Sequence, residues 1–142
     1  MPFTTDRSML EDYLSAWTED SGGLKKAFLR IIDQLDSLGD TKLSFKDRYG
    51  ICHSLRATRA GQEWRPYFIL VDVIDDDPTD RWLSICFYAD MIEDPLNLGN
   101  LVPEGIKNLD GYCFDLEKGW DDEIINYLSD RIKEAHAKAE NL

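Results

Sequence analysis

An acidic turn contains the densest group of potential metal ligands in the sequence. Asp75, Asp77 and Asp80 fall within residues 75–80, and carboxylate oxygens are ligands that Ca²⁺ and Mg²⁺ accept. The spacing lacks the central Gly and the distal Glu of a helix–loop–helix calcium loop. Acids and Pro are also usual in a solvated turn. Divalent-cation binding is therefore the third of three functions that the sequence predicts.

The second function that the sequence predicts is the binding of a small anionic ligand. His53, Arg56, Tyr88 and Tyr112 combine a guanidinium group with an imidazole and two phenols, and Arg56 would hold the anionic group. The pocket would lie under the loop Asp90–Gly111, because long loops without structure of their own are uncommon and often functional. With only two histidines and no glycine-rich nucleotide motif, the sequence favours a binding protein over an enzyme and indicates no cofactor.

The function that the sequence favours most is the binding of a protein through an interface. Trp64, Arg65, Tyr67 and Trp82 lie at the starts of two predicted strands. Aromatic residues and arginine are enriched in protein interfaces and supply much of their binding energy. We therefore expect a protein partner or a second copy of the chain, as a homodimer, bound through an uncovered sheet face or a hairpin edge.

Three segments have the periodicity of amphipathic helices, Ser8–Thr18, Leu24–Leu38 and Trp120–Ala139. Gly39 directly follows the second segment, where glycine commonly ends a helix. Acids occupy the first turn of the third segment, where they suit the helix dipole. The sequence thus predicts two helices before the strands and one after them.

The strand patterns begin at Lys42 and continue through Tyr49–Ala57, Tyr67–Ile74, Trp82–Ala89 and Tyr112–Leu116. A turn at residues 47–50 joins the first two. Tyr67–Ile74 is apolar on both faces apart from Asp72, which is typical of a central strand that is covered on both sides. The sequence predicts an α+β two-layer sandwich with a mostly antiparallel sheet of four or five strands. In size, acidity and element order it resembles small bacterial secretion chaperones and frataxins, without the motifs of either family.

Charge is distributed unevenly along this chain of 142 residues and net charge −12. Such a charge disfavours nucleic-acid binding, because the phosphate backbone would be repelled. Basic residues cluster before the central strands: Lys42, Lys46, Arg48, Arg56, Arg59 and Arg65. The segment 66–130 has only three, Arg81, Lys107 and Lys118, among many acids. This separation predicts a basic patch on an acidic body.

The three cysteines, Cys52, Cys86 and Cys113, are widely spaced in apolar surroundings. We interpret them as buried free thiols in a reducing compartment. The apolar runs are shorter than the roughly 20 residues that cross a bilayer, and the N-terminus does not resemble a signal peptide. The sequence therefore predicts a cytoplasmic, single-domain protein over 1–142 without membrane contact, with a short helical extension within residues 1–20.

Overall fold

The part of the chain that the structure describes forms three α-helices and six β-strands. The computed structural model describes residues 7–48 and 50–142, with no side chain described at residue 141. The elements in chain order are α1 (Arg7–Ala16), α2 (Leu24–Ser37), β1 (Thr41–Arg48), β2 (Cys52–Arg59), β3 (Ile69–Ile74), β4 (Trp82–Tyr88), β5 (Asn100–Ile106), β6 (Leu109–Leu116) and α3 (Asp122–Lys138). Short 3-10 turns occupy Ala89–Met91 and Ala139–Asn141. None of the described helices is long and apolar enough to cross a membrane.

The predicted α+β class and the order of the helices are confirmed. The sheet is antiparallel throughout in the order β1-β2-β3-β4-β6-β5, so β3 and β4 are central. It has six strands, and the prediction of four or five was wrong because the segment taken as a loop contains β5. Pro103, Gly105 and a register shift between Val102 and Ile106 interrupt that strand, which hides its alternation in the sequence. The predicted turn at residues 47–50 includes Tyr49, and the predicted extension includes residues 1–6; these lie outside the described residues.

All three helices pack on one face of the sheet. Tyr13 of α1 contacts Phe45 of β1 with ring centroids 5.3 Å apart, and Tyr127 of α3 contacts Phe114 of β6 at 6.3 Å. Helix α2 contributes an apolar stripe to the same core, with Phe28 fully buried. Burial of this stripe drives helix packing, because a sheet face and a helix stripe each need an apolar partner.

None of the described helices packs on the opposite face of the sheet. Residues that are direct partners across antiparallel strands point to the same side, and the register defines one set that we call the helix-free face. Its members are Lys42, Ser44, Lys46, Arg48, Cys52, Ser54, Arg56, Thr58, Leu70, Asp72, Ile74, Trp82, Ser84, Cys86, Tyr88, Cys113 and Asp115. The prediction that the central strands are covered on both sides was therefore wrong for this face, where side chains from the connection before β3 give partial cover.

Two of the cysteines form a disulfide. Cys86 and Cys113 are direct partners across β4 and β6, and the structure joins their sulfur atoms. The remaining thiol, Cys52, is buried, and burial, followed by the charge of Asp72, raises its pKa. The prediction of three free thiols was wrong, because it did not include the register that brings Cys86 and Cys113 together. The prediction of a cytoplasmic compartment relied partly on free thiols and loses that support, since stable disulfides are typical of oxidising compartments.

Candidate functional site

Four side chains form a continuous stack across the helix-free face, which we call the arginine–tyrosine stack. The Arg56 guanidinium lies 5.6 Å from the ring centre of Tyr67, and Tyr67 stacks on Tyr88 with centroids 5.9 Å apart. Arg65 covers the other end, 4.6 Å from the ring centre of Tyr88. A cation over an aromatic face is attracted by the ring quadrupole. The stack therefore holds two cations at fixed positions on the sheet.

The connection between β2 and β3 positions Tyr67 and Arg65 on this face. The carbonyl oxygen of Leu142 accepts hydrogen bonds from the backbone N–H groups of Glu63, Trp64 and Arg65, so Leu142 fixes the connection. The Thr58 hydroxyl donates to the carbonyl of Pro66 at 2.6 Å. These bonds hold the segment before β3 in place, so the stacking of Tyr67 on the sheet costs little further conformational entropy.

Charge at the stack is paired at one end only. Arg65 makes a bidentate pair with Asp90, with N–O distances of 2.6 and 2.8 Å. Hydrogen bonds from Arg65 hold the pKa of Asp90 below its usual range. Burial raises the pKa of Tyr88 to about 12 and also raises the pKa of Tyr67, so both phenols remain protonated donors at neutral pH. Within the described residues, no carboxylate forms an ion pair with Arg56 at the opposite end.

The helix-free face contains buried polar atoms that have no hydrogen-bond partner among the described residues. They are the Ser54 hydroxyl, the Arg56 Nε, one oxygen of Asp72 and the Tyr88 hydroxyl. Ser54 is 0% exposed and Tyr88 is 1% exposed. Buried polar groups in folded proteins are nearly always hydrogen-bonded, so four unpartnered groups on one face distinguish it chemically. Other unpartnered atoms, in Asp36, Thr41 and Arg81, lie outside this face.

The sheet separates the four residues predicted to bind a small ligand. Arg56 and Tyr88 lie on the helix-free face, whereas His53 and Tyr112 point to the helix side. His53 is covered there by the ring of Tyr13, with centroids 4.2 Å apart. A single pocket lined by all four residues does not form, because the prediction did not assign strand faces across the whole sheet.

The start of the segment after β4 borders a groove that contains none of the predicted ligand residues. A groove of about 480 Å³ runs between this segment and α3, and its lining residues are Asp90, Met91, Ile92, Glu93, Glu134, Ala137 and Lys138. None of the four predicted ligand residues contributes to it. Three carboxylates and one lysine form its charged lining, which is unfavourable for an anion.

The acidic turn uses its carboxylates for internal hydrogen bonds. One oxygen of Asp75 lies 2.7 Å from both the Tyr13 hydroxyl and the His53 Nδ1, which ties α1 to the sheet. One oxygen of Asp77 accepts from both the backbone and the hydroxyl of Thr79. Asp80 donates its backbone N–H to the Asp77 carbonyl. The described residues contain no group of three His, Cys, Asp or Glu side chains placed to hold one metal ion.

The four residues predicted to form an interface lie in two places. Arg65 and Tyr67 are in the arginine–tyrosine stack, and Trp82 is on the helix-free face opposite Ile74. Trp64 is 83% exposed on the connection that contacts Leu142. The sequence prediction did not include Ser54 and Asp72, which are direct partners on β2 and β3. A polar Asp72 within an otherwise apolar strand was the available signal.

Comparison with known proteins found no matching family model, no matching curated protein and no matching solved structure.

Proposed function

We propose that this protein is a binding module that holds a protein partner on its helix-free face. The observation that carries the proposal is the group of four buried, unpartnered polar atoms in Ser54, Arg56, Asp72 and Tyr88. Each such group costs about 1–3 kcal/mol when it lacks a hydrogen bond. A partner that supplied the missing donors and acceptors would recover this free energy on binding.

The composition of the face supports a macromolecular partner. Leu70 is partly exposed opposite Arg56, and Ile74 and Trp82 are partly exposed two rows further along the same face. The face therefore combines apolar surface with a fixed cation. Protein interfaces combine such anchors with a polar rim. The exposed basic side chains of β1 lie along one border of the face.

Two matched arginine substitutions test the proposal. Arg56→Ala removes the cation stacked on Tyr67, whereas Arg30→Ala removes a cation stacked at 5.7 Å on Trp120 on the helix side. Immobilised wild type and Arg30→Ala protein should retain the same partner from an extract of the source cells, and Arg56→Ala should lose it. Melting temperatures of the two variants establish that both are folded.

The retained partner is then purified and recombined with the wild type. Lysine acylation followed by mass spectrometry should show protection of Lys42 and Lys46, which are exposed in the free protein. Lys133, which is exposed on α3, should be labelled equally with and without partner. Protection of Lys133 alone, or equal loss of the partner with both arginine variants, would contradict the assignment to the helix-free face.

A small anionic ligand is the second candidate function. The observation that favours it is the buried Nε of Arg56, which has no acceptor among the described residues, beside the ring of Tyr67. A carboxylate or phosphate is the usual acceptor for a guanidinium group. A thermal-shift screen against anionic metabolites tests this alternative: a hit that Arg56→Ala abolishes supports it, and a hit that this substitution does not affect argues against it.

A further inference from the structure

The helix-free face has three basic side chains along one border and one acidic side chain, Asp115, near the opposite border. Lys42, Lys46 and Arg48 lie on the edge strand β1 and are exposed, and their cross-strand partners place them on this face. Asp115 lies on β6, four strands away in the sheet, and is also exposed. A surface with this charge pattern is complementary to a copy of itself in a suitable orientation.

We infer that the partner on the helix-free face is a second copy of this chain, related to the first by a twofold axis parallel to the strands. This inference rests on the proposed function and names its partner. Rotation about such an axis carries β1 of one copy over the β6 side of the other. Lys46 of each copy then faces Asp115 of the second copy, and the contact occurs twice.

The register of the sheet makes this pairing specific. Lys46, Ser54, Asp72, Ser84 and Asp115 are successive cross-strand partners and form one row across the sheet. An axis parallel to the strands keeps this row level and reverses its order in the second copy. Lys46 of one copy then faces Asp115 of the other, Ser54 faces Ser84, and the two Asp72 side chains face each other at the axis. The specific contacts of this row are therefore the two Lys46–Asp115 pairs.

The charges select between the two possible in-plane twofold axes. An axis perpendicular to the strands would place β1 over β1 of the second copy. Lys42, Lys46 and Arg48 would then face the same three cations, and like charges across an interface are strongly unfavourable. The axis parallel to the strands places Lys46 of each copy over Asp115 of the other, and the half-buried Asp72 carboxylates are the only like charges of the row that face each other.

The size of the face sets the expected strength of the dimer. Strands lie about 4.8 Å apart and rise about 3.4 Å per residue, so five strands cover roughly 24 Å by 24 Å. Two such faces bury roughly 1,100 Å² together, which lies at the lower end of specific interfaces. We therefore expect a reversible dimer that dissociates on dilution.

A charge exchange tests the inference. Lys46→Glu and Asp115→Lys each place like charges in both contacts of the symmetric dimer, and we expect either change to raise the dissociation constant by about tenfold or more. An equimolar mixture of the two variants makes both contacts complementary again, so a mixed dimer should form with nearly wild-type affinity. Light scattering over micromolar to millimolar concentrations gives the affinities, and native mass spectrometry identifies the mixed dimer.

Matched controls separate this contact from the effect of net charge. Lys133→Glu and Asp130→Lys make the same charge changes at exposed positions of α3, and both should dimerise as the wild type does. A wild type that stays monomeric throughout would overturn the inference of a second copy, while partner capture by the face would still support the proposed function. A dimer that the controls weaken equally, or that the mixture fails to restore, would overturn the proposed geometry.

Discussion

Removal of the Cys86–Cys113 disulfide should lower the stability of the protein by a predictable amount. The bond closes a chain segment with a sequence separation of 27. In the chain-entropy description, closing a loop of this length lowers the entropy of the unfolded chain and raises the free energy of the unfolded state by about 3.6 kcal/mol at 25 °C. The unfolding entropy is about 2.1 cal/mol/K per residue, which gives about 0.3 kcal/mol/K for 142 residues. The double variant Cys86→Ser, Cys113→Ser should therefore melt about 12 °C below the oxidised wild type.

Two measurements check this expectation. Alkylation in denaturant without reductant should modify one cysteine, Cys52, because the other two are joined; after reduction it should modify all three. Thermal unfolding of the reduced wild type should coincide with that of the double variant, which is the matched control for the reductant. Modification of three cysteines without reductant, or a melting temperature that reduction leaves unchanged, would refute the pairing derived from the register.

Three further predictions concern single side chains. Tyr88→Phe removes a buried hydroxyl that has no partner among the described residues, so the free energy of unfolding in urea should stay unchanged or rise. Tyr13→Phe loses the hydrogen bond to Asp75 and should lower the free energy of unfolding by about 1–2 kcal/mol. The reverse order of stabilities would count against the hydrogen bonds described. Arg65 holds the pKa of Asp90 low in the folded state, so the unfolded state binds more protons. The stabilisation by this pair is therefore fully present above the unfolded pKa of about 3.9. It is lost as pH falls through the lower folded pKa. Asp90→Asn should therefore flatten the acid side of the stability–pH curve, by less than about 1 kcal/mol because the carboxylate is exposed; an unchanged acid side would argue against the pair. Tyr127 accepts from the N–H of Leu96 and donates to Asp94, so Tyr127→Phe should speed hydrogen exchange around Leu96 without affecting β3, and unchanged exchange there would contradict this anchoring.

Local patterns were sufficient to predict most of the fold. The stripe that includes Phe28 and Leu35 predicted α2 from Leu24 almost to its end, because helical periodicity is a local property. Strand β5 could not be predicted in this way. All residues of β5 before Ile106 are exposed, and Ile106 alone is buried. An edge strand without a buried face shows no apolar alternation.

The candidate site could be predicted only in part. Arg56, Arg65, Tyr67 and Tyr88 were each identified by residue type, but under two different functions. Their association depends on which face each strand residue occupies and on the bend before β3 that carries Tyr67 onto the sheet. Both are set by long-range packing, as is the pairing of Ser54 with Asp72.

The two faces of the sheet differ in how they satisfy polar side chains. On the helix side Tyr13 and His53 each hydrogen-bond Asp75, and His136 hydrogen-bonds Asp40 at 2.6 Å. Asp36 on α2, Thr41 on β1 and Arg81 before β4 are exceptions there, whereas the hydrogen bonds named above pair the other polar groups. On the helix-free face the hydroxyls of Ser54 and Tyr88 are as deeply buried and have no partner in the described chain.

This difference favours an interface over a solvated surface. Water could satisfy these hydroxyls only if it reached them, and both side chains are almost completely inaccessible. In the proposed binding mode, a small movement of Tyr67, whose ring stacks on Tyr88, would expose the hydroxyl of Tyr88 to a donor or acceptor on the partner. Binding would then replace the stacking of Tyr67 on Tyr88 with a hydrogen bond to the partner.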